Sequence, residues 1–219
     1  MTDESWQKKF WWQWIVANSL AELFGLGTVA VLGFLAITQF GEPQGLAQSL
    51  CYAVLFVLLG AFEGLVVGLA QARILRQCLP DLQGWVRATV TGAVVAWTLG
   101  MAPSTIMSIN PTTPTEPAPA ISEPLVLLLA AGLGLIAGPL LAFFQWLRLR
   151  HYVTRRAAWW LPANAVAWML GMPIIFLGAH LGSLGVNPIF IALGTGMSLL
   201  GAGAVVGAVH GRVLVWLLS

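Results

Sequence analysis

Two carboxyl groups, Glu22 and Glu63, stand inside long apolar stretches where a lone charge is costly. Glu22 follows Trp14 by eight residues and Glu63 precedes Gln71 by eight, which puts each roughly 12 Å beyond the nearest boundary residue at a helical rise of about 1.5 Å. That depth approaches the middle of a hydrocarbon core about 30 Å thick. Arg73, the nearest base on the same stretch, is ten residues and about 15 Å away. Two close carboxyls without a base share one proton or enclose a cation, and Asn18, one turn before Glu22, offers a further oxygen. One reading is a proton relay or cation site. The other is a pair of protonated acids that hydrogen-bond two helices together.

The histidines are the second set with chemical capacity. His151 lies in a basic turn and His180 in a loop, where both are solvated. His210 replaces a glutamine that recurs elsewhere in the chain, which points to a hydrogen bond at a helix end; the sharper alternative is ligation of a haem or chlorophyll by its imidazole. Trp97 and Trp168 lie deep in their stretches and either pack in the core or stack on a lipid, a carotenoid or a partner helix. The basic run Arg148, Arg150, Arg155 and Arg156 either anchors the chain at a membrane surface or touches lipid headgroups or a partner. No Ser/His/Asp set, phosphate loop, nucleic-acid stripe or metal-ligand spacing occurs, so the chain reads as non-enzymatic. Cys51 and Cys78 are 27 residues apart on one predicted helix, too far to bridge.

Lipid is the solvent these residues expect. Hydrophobic residues make up 58% of the 219 and charged residues 8%, a composition outside the range of soluble domains. Six apolar spans follow from it. They are 13–40, continuing to about Arg76 after a short loop, then Trp85 to about Met101, Leu125 to about Leu147, Trp159 to about Leu177, and Pro188 to Val209. The first span reads as a signal anchor, being about twice the length of a cleavable apolar region. Residues 103–124 form a Pro-rich polar loop that prevents helix. All ten Lys and Arg fall at one boundary, which predicts cytoplasmic termini.

A repeat organises the spans. Gly64, Gly68, Gln71, Leu75 and Arg76 match Gly138, Ala142, Gln145, Leu149 and Arg150, and a third copy carries Gly203, Gly207, His210, Arg212 and Leu214. Small residues recur at fourfold spacing in each copy, as Gly60, Gly64 and Gly68, then Gly134 and Gly138, then Gly203 and Gly207, giving flat strips for close helix approach. W-x-x-A-[NT] opens the helix before each copy, at Trp14, Trp85 and Trp160, 71 and 75 residues apart. The expected fold is therefore all-α and membrane-integral. Six helices form three tandem hairpins (13–78, 83–148 and 157–219, after a cytoplasmic amphipathic segment 1–12) around a pseudo-threefold axis along the membrane normal. The acid pair breaks this symmetry, because its counterparts are Ala93 and Ala137, then Trp168 and Ala202.

The stretches 71–100 and 145–171, with Q-x-x-x-L-R and W-x-x-A-x-x-x-G-W patterns, resemble a group of uncharacterised polytopic membrane proteins frequent in cyanobacteria. The resemblance implies a membrane repeat fold in a bacterial inner or thylakoid membrane, and no activity. His210 in place of Gln, and Pro162 in the fifth span, depart from the pattern. Two functions follow as expectations. The first is an accessory or binding subunit that packs against lipid, pigment (chlorophyll or carotenoid) or a larger membrane complex. The second is a small proton- or cation-coupled transporter or channel that uses Glu22 and Glu63.

Overall fold

In a computed structural model, residues 4–79, 82–109, 121–153 and 156–219 are described. All regular structure among them is helical. The long helices are α1 (Glu4–Phe40), α2 (Gly45–Leu75), α3 (Trp85–Ile109), α4 (Glu123–Leu149), α5 (Trp160–His180) and α6 (Pro188–Leu218), with single 3-10 turns at Ala157–Trp159 and Leu181–Ser183. Six helices are long and apolar enough to cross a membrane, as expected of an integral membrane protein of the helical class.

Helix ends depart from the expected spans for local reasons. Residues Glu4 to Trp12 continue α1 instead of forming a separate segment, burying Phe10 on the core side. α3 runs through Pro103 to Ile109, eight residues past the expected stop at Met101. Proline removes one backbone donor, and the hydroxyls of Ser104 and Thr105 bond to the Met101 carbonyl at 3.0 and 2.8 Å within that last stretch. Half of the Pro-rich loop, residues 110–120, lies outside the described residues. Pro162 falls in the first turn of α5, where a missing donor costs little, so it does not interrupt the span. α6 extends past His210 and Arg212 to Leu218.

Each helix packs against its chain neighbours, and α6 packs against α1, so the six close into a ring. The small-residue strips make three of the seams. Gly64 and Gly68 lie against Ala93, Val90, Thr89 and Val86 of α3. Gly134 and Gly138 lie on the carbonyls of Trp168 and Asn164 of α5. Gly203 and Gly207 lie on Asn18 and Ile15 of α1, with a Cβ at Gly203 2.7 Å from the Asn18 oxygen. In all three cases the strip faces the first helix of the next repeat, and backbone meets backbone where any side chain would intervene.

Candidate functional site

The ring is closed at its basic end by an apolar plug. Trp14, Trp85 and Trp160, with Leu75, Leu149 and Leu214, have almost no exposure and form one cluster with Phe10. These are the repeat's Trp and Leu landmarks, one of each from every copy. The Trp14 and Trp85 rings both lie against Trp160, with centroids 6.4 and 6.1 Å apart.

Directly inward lies a layer of buried polar side chains in which one hydrogen bond occurs three times. The Trp85 indole donates to Gln71 Oε1 at 3.2 Å, Trp160 to Gln145 Oε1 at 3.1 Å, and Trp14 to His210 Nδ1 at 3.0 Å. Each joins the opening Trp of one repeat to the Gln or His that closes another. An indole N–H only donates, so His210 Nδ1 is an acceptor and a neutral ring carries its proton on Nε2. The position four residues after each Trp adds a second triple: Asn18, Thr89 and Asn164 donate to the carbonyls of Trp14, Trp85 and Trp160 at 2.8, 3.0 and 2.8 Å. Cross-links complete the layer. Gln71 Nε2 donates to Asn18 Oδ1, and Gln145 Nε2 donates to both Thr89 Oγ1 and Gln71 Oε1, each at 2.9 Å. Bonds of this kind hold several helices at once and leave few buried amide atoms unpaired.

The acids come next along the axis. Glu22 is 1% exposed, and its Oε2 is buried without a hydrogen-bond partner. Glu63 is half-buried and accepts from the Trp97 indole at 2.7 Å. The indole of Trp97 also lies parallel to Phe56, with centroids 6.3 Å apart, and covers Gly60. Gly25, one turn beyond Glu22, touches Glu63; a Cβ there would stand 3.2 Å from its Cγ. Both acids line one internal cavity of about 40 Å³ together with Asn18, Gln71, Gln145 and His210. That is room for one or two waters or a bare small cation.

The proton or cation candidates thus converge on one cavity: Asn18, Glu22 and Glu63 line it, and His210 shares it. His210 is 1% exposed, occupied at Nδ1 by Trp14 and flanked by Trp160 at 5.1 Å. The cavity it faces is about 40 Å³, and its Nδ1 accepts the Trp14 indole, a hydrogen bond of the kind the repeat position pointed to. Arg148, Arg150 and Arg156 lie at the basic end, away from the cavity, and Arg155 lies outside the described residues. Sequence reasoning missed the roles of Trp97 and of the Gln145–Gln71 bridge. Depth alone flagged Trp97, and its contacts with Glu63 and Gly60 come from the way α3 packs on α2.

Among the described residues no three His, Cys, Asp or Glu gather as a metal site. No family model, curated protein or solved structure matches the chain.

Proposed function

We propose that this membrane protein binds a proton or a small cation at Glu22, with Glu63 as its partner, and acts as a small proton- or cation-coupled transporter. The observation that carries this reading is the buried Glu22 carboxyl, whose Oε2 has no partner and which faces a polar cavity. A buried polar atom left unpaired costs about 1–3 kcal/mol, and more when charged, so its retention calls for a ligand. Glu63, held through Trp97, supplies the second carboxyl. Asn18 Oδ1, which accepts a single hydrogen bond from Gln71, adds a third oxygen of the type hard cations prefer. The Trp and Leu plug closes the basic end, so exchange with that side requires the plug to move.

The architecture we infer for this task is three tandem hairpins around a pseudo-threefold axis, both termini cytoplasmic, in a bacterial inner or thylakoid membrane. Support comes from the equivalent indole bonds and from the distribution of Lys and Arg. The test is thermal unfolding of the detergent-solubilised protein across Li+, Na+, K+ and pH series. A bound ion raises the transition by mass action, and Glu22→Gln removes the dependence. Identical ion and pH responses in wild type and Glu22→Gln would sink the proposal.

One observation favours a second reading, a non-enzymatic accessory or binding subunit. The α1–α2 seam opens as an apolar groove of about 530 Å³ lined by Val16, Leu20, Phe24 and Val66, wide enough for a partner helix or an acyl chain. Isolation from the native membrane in mild detergent, with an absorption spectrum and a census of co-purifying polypeptides, separates the two. Colour or a stoichiometric partner supports the accessory subunit, and a colourless lone protein supports transport.

A further inference from the structure

The two grooves on the outside of the ring occupy the same place in successive repeats and differ in charge. The α1–α2 groove has Val16, Ala17 and Leu20 where the α3–α4 groove has Arg87, Ala88 and Thr91. On the second wall, Ile74 of the first groove corresponds to Arg148 of the second. The α3–α4 groove, of about 440 Å³, thereby gathers Arg87, Arg148, Arg150 and His151 at its mouth, with Ala88, Phe144 and Leu147 below. α3 and α4 are also the least closely packed neighbours in the ring.

We propose that the α3–α4 groove is a binding site for an anionic phospholipid, its phosphate held by Arg87 and Arg148 and an acyl chain laid over Phe144 and Leu147. Three observations select a lipid. The site is amphipathic, cations at the boundary and apolar side chains toward the hydrocarbon, which is the order of groups in a phospholipid. Two of the arginines are held in place: Arg148 lies against Gly84, whose φ of +75° and missing Cβ admit it, since a Cβ there would stand 3.2 Å from Arg148 Nε. Arg150 is placed over the Trp146 ring at 5.4 Å. Finally, none of the three arginines has an acidic partner among the described residues, and a planar guanidinium is suited to two-point binding of phosphate.

The experiment is native mass spectrometry of the full-length protein released from detergent with phosphatidylglycerol or with phosphatidylcholine of the same acyl chains. Wild type retains one phosphatidylglycerol in preference to phosphatidylcholine. Each of Arg87→Gln and Arg148→Gln lowers that preference about fivefold, the worth of roughly one basic residue at an anionic membrane surface. Arg73→Gln, at the single basic residue lining the equivalent α1–α2 groove, leaves it unchanged. Equal retention of the two lipids by wild type overturns the proposal without recourse to any variant. An equal loss in Arg73→Gln also overturns it, by reducing the effect to total surface charge. Displacement of phosphatidylglycerol by millimolar inorganic phosphate, with phosphate alone raising the thermal transition, would assign the groove to a free anion and overturn the lipid.

Discussion

The basic-end layer and the mid-membrane layer of the ring are built on opposite principles. In the first, three copies of one hydrogen bond, indole to Gln or His, stand on three tryptophans packed edge to face or tilted against one another, and each repeat contributes alike. In the second, one turn or two further in, the repeats diverge: Glu22 and Glu63 in the first face positions held by alanine and tryptophan in the others. Repetition satisfies backbone and amide groups with one solution used three times. The single departure introduces an unpaired carboxyl oxygen that no fold requirement explains. Under the proposed function, stability and ion binding fall to adjacent layers of one axis.

Substitutions in the two layers should separate accordingly. The largest effect belongs to the seams: Gly138→Val drives a side chain into the Asn164 carbonyl, and a loss of about 3 kcal/mol or more is expected, read as a collapsed thermal transition in detergent. Next come Trp85→Phe and Trp160→Phe, each leaving a buried amide oxygen short of its indole donor at about 1–2 kcal/mol. Near-equal losses at the two sites support equivalence of the repeats, and a severalfold difference breaks it. His210→Leu should cost a similar amount by orphaning the Trp14 indole, while His210→Gln, which restores the amide of the other repeats, should cost less than about 1 kcal/mol. A large loss in His210→Gln would show that the imidazole does more than accept that bond.

Glu22→Gln has the smallest expected effect on stability, within about 1 kcal/mol, because it exchanges one unpaired polar oxygen for an amide of the same shape. Its signature is functional, the loss of ion and pH dependence described above. Were Glu22→Gln to unfold the protein as Gly138→Val does, the division of labour between the layers would fail, and the acids would belong to the scaffold.

The membrane class, the number of spans and the small-residue strips were legible because they depend on composition and on the 3.6-residue period, both local properties. The Trp, Gln or His, and Leu landmarks were visible as a repeat, and Glu22 and Glu63 as its exception. Helix ends were less legible: Pro103 argued for a stop, yet α3 continues through it to Ile109. A periodic pattern reports that a face is flat and is silent about what lies on it. Hence the strips, read within hairpins, gave no sign that they join one repeat to the next, and Trp14 and His210, 196 residues apart, showed no relation until α6 met α1.

By itself, then, the sequence determined six spans apolar enough for lipid, a Trp, Gln or His, and Leu pattern that recurs three times, and which two acids violate the pattern. Tertiary structure alone decided that the indoles cross to neighbouring repeats, that Glu63 is held by Trp97 while Glu22 keeps an unpaired oxygen, and that both share one small cavity. The physical reason is that hydropathy and periodicity are properties of a single helix. A hydrogen-bond partner or a cavity is fixed by the angle and register at which several helices close upon one another.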